Sequence, residues 1–161
     1  MFALALGFLT PTAGKIEYGI EGSIAYVPQE PNIFAATLRE NLLLGRDAPD
    51  DVLQGAMERA GLSSLLARLP EGLDTRLGEG GRQLSAGERR RFGLARALVT
   101  PKALYLLDEP TAGLDEENER VVLETIRGLA EGESAPAVLI ASHRPKTIGI
   151  ADEVVRIDGG M

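Results

Sequence analysis

Residues 104–109 read Leu-Tyr-Leu-Leu-Asp-Glu and carry two adjacent carboxylates at the end of a short apolar run. An apolar run of this length is typical of a buried strand. Unpaired charges are costly to bury, and ligands of open α/β sheets bind at the carboxyl ends of the strands. Asp108 and Glu109 could therefore handle a metal and an attacking water. The run could equally be a strand that leaves the core for a solvated loop.

Apolar runs alternate with amphipathic segments along the rest of the chain. Residues 2–9 are typical of the end of a core helix. Strands are predicted at 24–27, 103–107, 137–141 and 153–157, and helices from Thr37, at about 50–60, 62–69, from Ser85 and at 117–130. Strands that alternate with helices indicate parallel pairing, so the predicted fold class is an α/β sheet.

Local signals refine three of these segments. Thr37 and Glu40 have the spacing of a capping box. Asp50 or Asp51 is predicted to cap the helix that runs to Ala60. Residues 71–83 are rich in glycine and charge and are predicted to form an exposed loop.

The composition excludes several classes of function. The 161 residues fit one domain, and 24 acidic against 17 basic side chains give a net charge of −7. This charge argues against broad attraction to nucleic acid. The absence of cysteine and the single histidine exclude a disulfide framework and multi-cysteine or multi-histidine metal sites. No apolar run reaches the roughly 18 residues of a membrane span.

Four polar segments have both a structural and a functional interpretation. Ser85-Ala86-Gly87-Glu88 is either a capping box or a helix N-terminus that binds phosphate. The run 89–91, Arg-Arg-Arg, is interpreted as a solvated helix face and not as a nucleic-acid contact, because no aromatic residue interleaves with it. Gln29 is either a loop residue or an oxygen ligand for a hard cation. His143 is either structural or, because 137–141 should lie near 103–107, a contact for a terminal phosphate.

Five segments, in this order, resemble the ATP-binding domain of ABC transporters. Residues 26–29 (Tyr-Val-Pro-Gln) resemble the Q-loop, 84–88 (Leu-Ser-Ala-Gly-Glu) the signature motif, and 104–109 Walker B with its adjoining glutamate. Residues 112–115 (Ala-Gly-Leu-Asp) resemble the D-loop, and 142–144 (Ser-His-Arg) the switch-histidine loop. Together the motifs favour the functional interpretations. They imply a P-loop NTPase (RecA-like) parallel sheet with an inserted helical subdomain that carries the signature motif.

The resemblance implies domain boundaries and a role for each position. The core would comprise 1–34 and 100–161, and the helical subdomain about 35–99. ATP and Mg²⁺ would be the cofactors. Asp108 would hold Mg²⁺, Gln29 would sense it, Glu109 would polarise the attacking water, and His143 would contact the γ-phosphate. Ser85, Ala86 and Gly87 would cap the γ-phosphate of ATP held by a second ATP-binding domain, and Asp115 would act across that dimer.

Three further segments resemble the exporter branch of the family: 32–41, 75–81 and 144–155. They imply a transmembrane domain as a second partner and a location at the cytoplasmic face of the membrane. Exporters of thiol compounds such as cysteine or glutathione are a plausible subgroup. Non-transport ATPases of DNA repair and translation share several motifs, but the exporter-like segments and the acidic charge weigh against them.

The chain departs from the family in its phosphate loop. The pattern G-x-x-x-x-G-K-[ST] is absent from the 161 residues. Gly14-Lys15-Ile16 resembles its end, but it lacks a glycine at the required distance upstream and a hydroxyl after the lysine. On this resemblance Met1 falls just past the loop, and the N-terminal strands and Walker A are expected to be missing. Ala86 also replaces the usual glycine. The chain could accordingly be a non-catalytic partner that supplies only its signature face, or a fragment without an independent role.

We expect purified residues 1–161, on their own, neither to bind ATP tightly nor to hydrolyse it. Without the loop lysine and its cradle of N–H groups, the β- and γ-phosphates lose their main contacts within one subunit. Equilibrium nucleotide binding and phosphate release measure this. Full-rate, Mg²⁺-dependent ATP hydrolysis by the isolated chain would contradict it.

Overall fold

The computed structural model describes residues 2–17, 23–132 and 135–157. In chain order the elements are α1 (Phe2–Ala5), β1 (Ile24–Val27), α2 (Leu38–Leu43), α3 (Asp50–Arg59), α4 (Ser63–Ala67), a 3₁₀ turn (Gly72–Asp74), α5 (Ala86–Leu98), β2 (Leu104–Asp108), α6 (Glu116–Leu129), β3 (Ala137–Ala141) and α7 (Pro145–Ile148). Across the described residues, no helix is long and apolar enough to cross a membrane.

The three strands form one parallel sheet in the order β1-β2-β3. Tyr26 pairs with Leu106 across the first ladder, and Leu106 pairs with Leu139 across the second. Leu106 and Leu107 on the central strand are fully buried, as the run of apolar residues predicts. The predicted α/β fold class with a parallel sheet is confirmed. Among the described residues β3 pairs only with β2, so its other edge is open.

The strand predicted at 153–157 is wrong. These residues belong to no ladder in the described part of the chain, and the side chain of Val155 is 75% exposed. The prediction rested on β-branched residues, which fit a pleated surface but need a neighbouring strand to form one. Here no described strand pairs with the segment.

Four helices, α2 to α5, lie between β1 and β2 and pack on each other around fully buried side chains. The largest of these are Leu38, Leu42, Leu53, Met57, Leu62, Leu65, Phe92 and Leu94. The same hydrophobic cluster continues into the sheet through Val27 and Leu107. The division into a core and a helical subdomain at about residues 35–99 therefore stays a prediction.

The capping signals are confirmed at one helix and wrong at another. Thr37 accepts a hydrogen bond from the Glu40 N–H, and Glu40 accepts one from the Thr37 N–H, which is the predicted capping box. At α3 the cap residue is Pro49, which makes no side-chain cap bond. Asp50 and Asp51 lie instead in the first turn, where the helix dipole stabilises their negative charge. Asp50 also forms an ion pair with Arg39.

The predicted exposed loop at 71–83 is exposed only in part. Leu73 and Leu77 are buried, and the Leu77 N–H donates to the Ala36 carbonyl at 2.8 Å. The Leu38 N–H donates to the Thr75 carbonyl at 2.9 Å. Two leucines spaced four apart in a polar segment anchor the loop to the start of α2.

Glycine makes the contact between α5 and the loop that follows β1 possible. A Cβ at Gly93 would overlap the Cγ of Pro31 and come within 3.0 Å of its Cβ. Pro31 is itself buried, and its ring occupies the space that a side chain at position 93 would need.

We expect Gly93→Ala to destabilise the chain by about 1–3 kcal/mol, the usual cost of an overpacked contact. The loss should occur although alanine is the better helix former by about 1 kcal/mol. Gly128→Ala is the matched control, because a Cβ at Gly128 in α6 meets nothing within 4 Å. This control should leave stability unchanged or raise it. Urea unfolding measures both, and equal effects would disprove the close approach at Gly93.

Candidate functional site

The parallel sheet brings the predicted strand-end residues to one edge. Asp108 is the last residue of β2 and Glu109 follows it directly, while Gln29 and His143 each lie two residues beyond β1 and β3. The carboxyl ends of parallel neighbours lie at the same edge of a sheet. Four of the predicted site residues thus come from three adjacent strands.

Asp108 receives a hydrogen bond from the neighbouring strand. The Tyr26 hydroxyl donates to its Oδ2 at 3.4 Å, and the Tyr26 ring packs edge-on against Phe2 with centroids 5.9 Å apart. Partial burial, and then the nearby Asp108 carboxylate, raise the pKa of Tyr26 above its ordinary value. Tyr26 therefore remains a protonated donor, which leaves the other oxygen of Asp108 for a further ligand.

Glu109 turns sharply out of the strand. Its φ is +47°, a left-handed conformation that is strained for a residue with a Cβ, and its N–H donates to the Ala141 carbonyl at 2.9 Å. The turn directs the side chain toward the end of β3. There the Ser142 hydroxyl donates to Oε2 at 3.2 Å, and His143 Nδ1 lies 2.7 Å from Oε1.

The Glu109–His143 pair joins a largely covered carboxylate to an open ring. The side chain of Glu109 is 16% exposed and that of His143 is 85% exposed. Because Nδ1 is held by the carboxylate, Nε2 is the ring nitrogen that remains for an outside ligand. The pair can thus bind a group that approaches from solvent while Glu109 stays fixed by Ser142 and His143.

Gln29 lies at the same edge, but the structure does not join its side chain to Asp108. The side chain is exposed, and its backbone carbonyl accepts a hydrogen bond from Arg90 Nε at 3.2 Å. The described residues contain no cluster of three or more acidic, histidine or cysteine side chains that could hold a metal. The donor set of Asp108 and Gln29 fits Mg²⁺, which typically takes one or two protein oxygens together with phosphate and water.

Ser85, Ala86, Gly87 and Asp115 form a second group. Ser85 caps α5, because its hydroxyl accepts from the Glu88 N–H at 3.2 Å and its N–H donates to Glu88 Oε2 at 2.8 Å. A Cβ at Gly87 would meet Leu114 at 3.4 Å, so the start of α5 lies beside the 112–115 loop. In the described residues no hydrogen bond or ion pair joins this group to Glu109 or His143.

Asp115 caps the next helix. Its Oδ1 accepts from the Asn118 N–H at 2.9 Å, and its Oδ2 accepts from the Asn118 side-chain amide at 2.7 Å. These bonds, and more weakly the charge of Arg91, hold the pKa of Asp115 below its ordinary value. The carboxylate is exposed, so it remains open to a partner.

Sequence reasoning missed two buried charges. The run 89–91 is not a uniformly solvated face, because Arg91 is only 9% exposed and burial lowers its pKa. Glu119 in α6 is also buried, with Arg144 at 2.7 Å and Lys146 at 3.4 Å. The signal was present in the spacing. Arg91 begins the stripe 91, 94, 95, 98, and Glu119 begins the stripe 119, 122, 123, 126.

Glu119 fixes the segment that follows His143. Its ion pairs with Arg144 and Lys146 join that segment to α6, and the Thr111 and Thr147 hydroxyls, both buried, lie 3.0 Å apart. The loop after β2 and the segment after β3 are thereby connected by a direct hydroxyl contact as well as through α6. This restricts where His143 can lie relative to Glu109.

Comparisons with known proteins agree on one family. A sequence model described as ABC transporter matches residues 1–112. P-glycoprotein 14 of Caenorhabditis elegans is 42% identical over 144 residues, which cover 89% of this chain and 11% of that protein. The glutathione/L-cysteine transport system ATP-binding/permease protein CydC of Escherichia coli (strain K12) is 42% identical over 153 residues, which cover 94% of this chain and 26% of that protein.

A solved structure has the same fold. It is a bacterial Atm1-family ABC exporter with ATP bound, with a TM-score of 0.69 and 36% identity. The match covers 78% of this chain and 22% of the exporter chain. The chain spans between 11% and 26% of the length of the two relatives named above.

We expect the contribution of Asp115 to stability to disappear in acid. Because its pKa is lowered on folding, the ionised cap stabilises the fold above the unfolded pKa of roughly 3.9 and loses this effect as the pH falls through the folded value. Asp115→Asn should therefore be less stable than the wild type at pH 7, and the difference should narrow below about pH 4. Urea unfolding as a function of pH measures it.

Two further substitutions separate the charge from the cap. Asp115→Ser keeps a neutral N-cap. The difference in its free energy of unfolding from the wild type should narrow in acid, as it does for Asp115→Asn. Asp115→Ala loses the cap altogether and should be less stable than either at every pH. If the stability difference between Asp115→Asn and the wild type did not vary with pH, the ionised Asp115 carboxylate would not be the stabilising group.

Proposed function

The chain belongs to the ABC transporter family, and we propose that it forms part of an exporter's ATP-binding domain, where Asp108, Glu109 and His143 bind and hydrolyse Mg²⁺-ATP. The contact of 2.7 Å between Glu109 and His143 at the strand-end edge carries this proposal. It pairs a carboxylate that can orient water with a ring nitrogen that can bind phosphate. Hydrolysis supplies the free energy for transport.

Asp108 and Gln29 are the proposed metal ligands. Mg²⁺, when bound, would neutralise charge on the β- and γ-phosphates. Asp108 supplies one carboxylate oxygen, and Tyr26 holds the other in place. Gln29 supplies an amide oxygen from the loop after β1. Its side chain would move when Mg²⁺ binds, so that it senses the metal.

Glu109 and His143 are the proposed catalytic pair. Each carboxylate oxygen of Glu109 accepts one hydrogen bond, from Ser142 or from His143. A carboxylate offers about four lone-pair sites, so Glu109 can still accept a hydrogen bond from a water. The strained turn at Glu109 keeps that carboxylate in one orientation. His143 would present Nε2 to the γ-phosphate. Catalysis of this kind is mostly positioning and charge stabilisation.

Ser85, Ala86, Gly87 and Asp115 are proposed to act on ATP bound by a second ATP-binding domain. Ser85, Ala86 and Gly87 lie at the N-terminus of α5, where free N–H groups and the helix dipole favour phosphate. Asp115 offers an exposed carboxylate at the start of α6. Their separation from Glu109 within the chain supports a role across a dimer. Homodimer and heterodimer use the same two faces.

A transmembrane domain is the proposed second partner, which places the chain at the cytoplasmic face of the membrane. A cleft of about 470 Å³ opens directly after Gln29, between residues 30–33 and 78–89, with Glu30, Asn32, Glu79 and Gln83 on its walls. Phe34 beside it is half exposed. We propose that a polar segment of the membrane domain occupies this cleft. The relative CydC is named for glutathione and L-cysteine transport, which suggests thiol compounds as the substrate class.

A non-catalytic role is the second candidate. The 161 residues contain the signature face but no G-x-x-x-x-G-K-[ST] pattern, so they could serve another subunit's ATP without holding their own. The coding sequence upstream of Met1 separates the candidates. An in-frame phosphate loop directly upstream, with membrane spans before it, supports the catalytic role, and a stop codon there supports the second.

We expect Glu109→Gln, introduced into the complete transporter, to abolish ATP hydrolysis and to trap ATP in a closed dimer. The amide keeps the size of the side chain but orients water poorly. ATP retention on the purified protein and its dimer fraction measure the effect. Glu117→Gln, an exposed carboxylate in the first turn of α6, is the matched control and should hydrolyse ATP normally. Unchanged hydrolysis in Glu109→Gln would refute the catalytic role of Glu109.

A further inference from the structure

One guanidinium group touches both loops that flank the candidate site. Arg90 Nε donates to the Gln29 carbonyl at 3.2 Å, and Arg90 Nη1 donates to the Ala112 carbonyl at 2.7 Å. Gln29 follows β1, and Ala112 lies in the 112–115 loop after β2. Arg90 itself belongs to α5, which begins with Ala86 and Gly87. Three chain segments of the proposed site therefore meet at one side chain.

The 112–115 loop is built to admit this group. Gly113 has a φ of +67°, and a Cβ there would lie only 2.8 Å from Arg90 Nη1. Glycine is thus needed both for the backbone turn and for the space that the guanidinium fills. One turn further along α5, Gly93 lies against Pro31 and keeps the loop that contains Gln29 pressed on the same helix.

The contact has the chemistry of a rigid connection. A guanidinium is planar, always protonated, and carries its donors in a fixed fork. Its Nε and Nη1 are bonded through one carbon, so the two carbonyls they hold cannot move independently without breaking a hydrogen bond. The ordinary explanation for an arginine on a polar helix face is solvation. Arg89, its exposed neighbour, fits that explanation, but Arg90 is half-buried.

We propose that Arg90 is a positioning residue that couples the loop of Gln29 to the 112–115 loop, so that a displacement at Gln29 is passed to Asp115. Under the proposed function, on which this meaning rests, Gln29 senses the metal at one ATP and Asp115 acts across the dimer. Arg90 then couples the binding of Mg²⁺-ATP at this chain's site to the position of Asp115, which faces the second ATP-binding domain.

Amide hydrogen exchange in the chain without nucleotide tests the coupling. The Ala112 N–H donates to the Glu109 carbonyl and the Leu114 N–H to the Thr111 carbonyl, so both report opening of the loop. Gln29→Gly keeps the carbonyl that Arg90 binds and loosens its backbone. We expect this substitution to speed exchange at both amides by about two- to fivefold, the factor set by the added backbone freedom of glycine.

A double-mutant cycle supplies the decisive comparison. Arg90→Met keeps the length and helix propensity of the side chain but has no donor. In that background Gln29→Gly should no longer change exchange at Ala112 and Leu114. In the matched control, Arg89→Met, Gln29→Gly should act as it does in the wild type. Equal effects of Gln29→Gly in all three backgrounds would overturn the proposal.

A second measurement needs no substitution at Arg90. The Nε–H signals of Arg90 and Arg89 can be compared by NMR in the wild type and in Gln29→Gly. Arg90 should exchange its Nε proton with water more slowly than Arg89, and Gln29→Gly should remove much of that difference. Equal rates at the two arginines in the wild type would also overturn the proposal. Because no nucleotide takes part, failure of these tests leaves the proposed ATPase function standing.

Discussion

The site depends on the position of β2 between two parallel neighbours. β2 pairs on one edge with β1 and on the other with β3, and its side chains at Leu106 and Leu107 are buried. A strand paired on both edges has its backbone polar groups satisfied and its register fixed. Because both neighbours are parallel, their carboxyl ends lie beside its own. A slip of one residue would turn Asp108 to the other face.

The adjacent carboxylates Asp108 and Glu109 receive different environments from this arrangement. Asp108 still belongs to the strand and faces Tyr26 of β1. Glu109 has left the strand through a left-handed turn and contacts Ser142 and His143 beyond β3. A regular strand would have placed the second carboxylate on the opposite face from the first. The strained turn keeps Glu109 at the C-terminal end of the sheet. There Glu109 faces the end of β3, whereas Asp108 faces β1.

Local signals predicted the elements that local interactions determine. The apolar runs at β1, β2 and β3, and the capping boxes at Thr37 and Ser85, were readable because each involves residues a few positions apart. The strand at 153–157 was mispredicted because a strand depends on an edge supplied by distant residues. Asp50 was misassigned as a cap because Pro49 already holds the capping conformation.

The position of the candidate site residues at the strand ends was predictable, but the contacts between them were not. The carboxylates, Gln29 and His143 follow strands, so their shared edge follows from parallel pairing. Nothing in the spacing foretold that Glu109 would bind His143 directly, since that depends on the backbone turn. Arg91 was misjudged because charge was taken to mean exposure, and the burial of Glu119 was not predicted at all. Each lies at the first position of an apolar helical stripe, where position outweighs residue type.

The 112–115 loop shows how these long-range contacts combine. Arg90 holds the loop from α5, and Leu114 packs against Gly87 at the start of the same helix. On the other side, Thr111 contacts Thr147, and Glu119 binds Arg144 and Lys146 in the segment after His143. The loop therefore touches α5, which begins with Ala86 and Gly87, and is linked to the segment that follows His143. A short connection between β2 and α6 thus contacts both the start of α5 and the segment after β3.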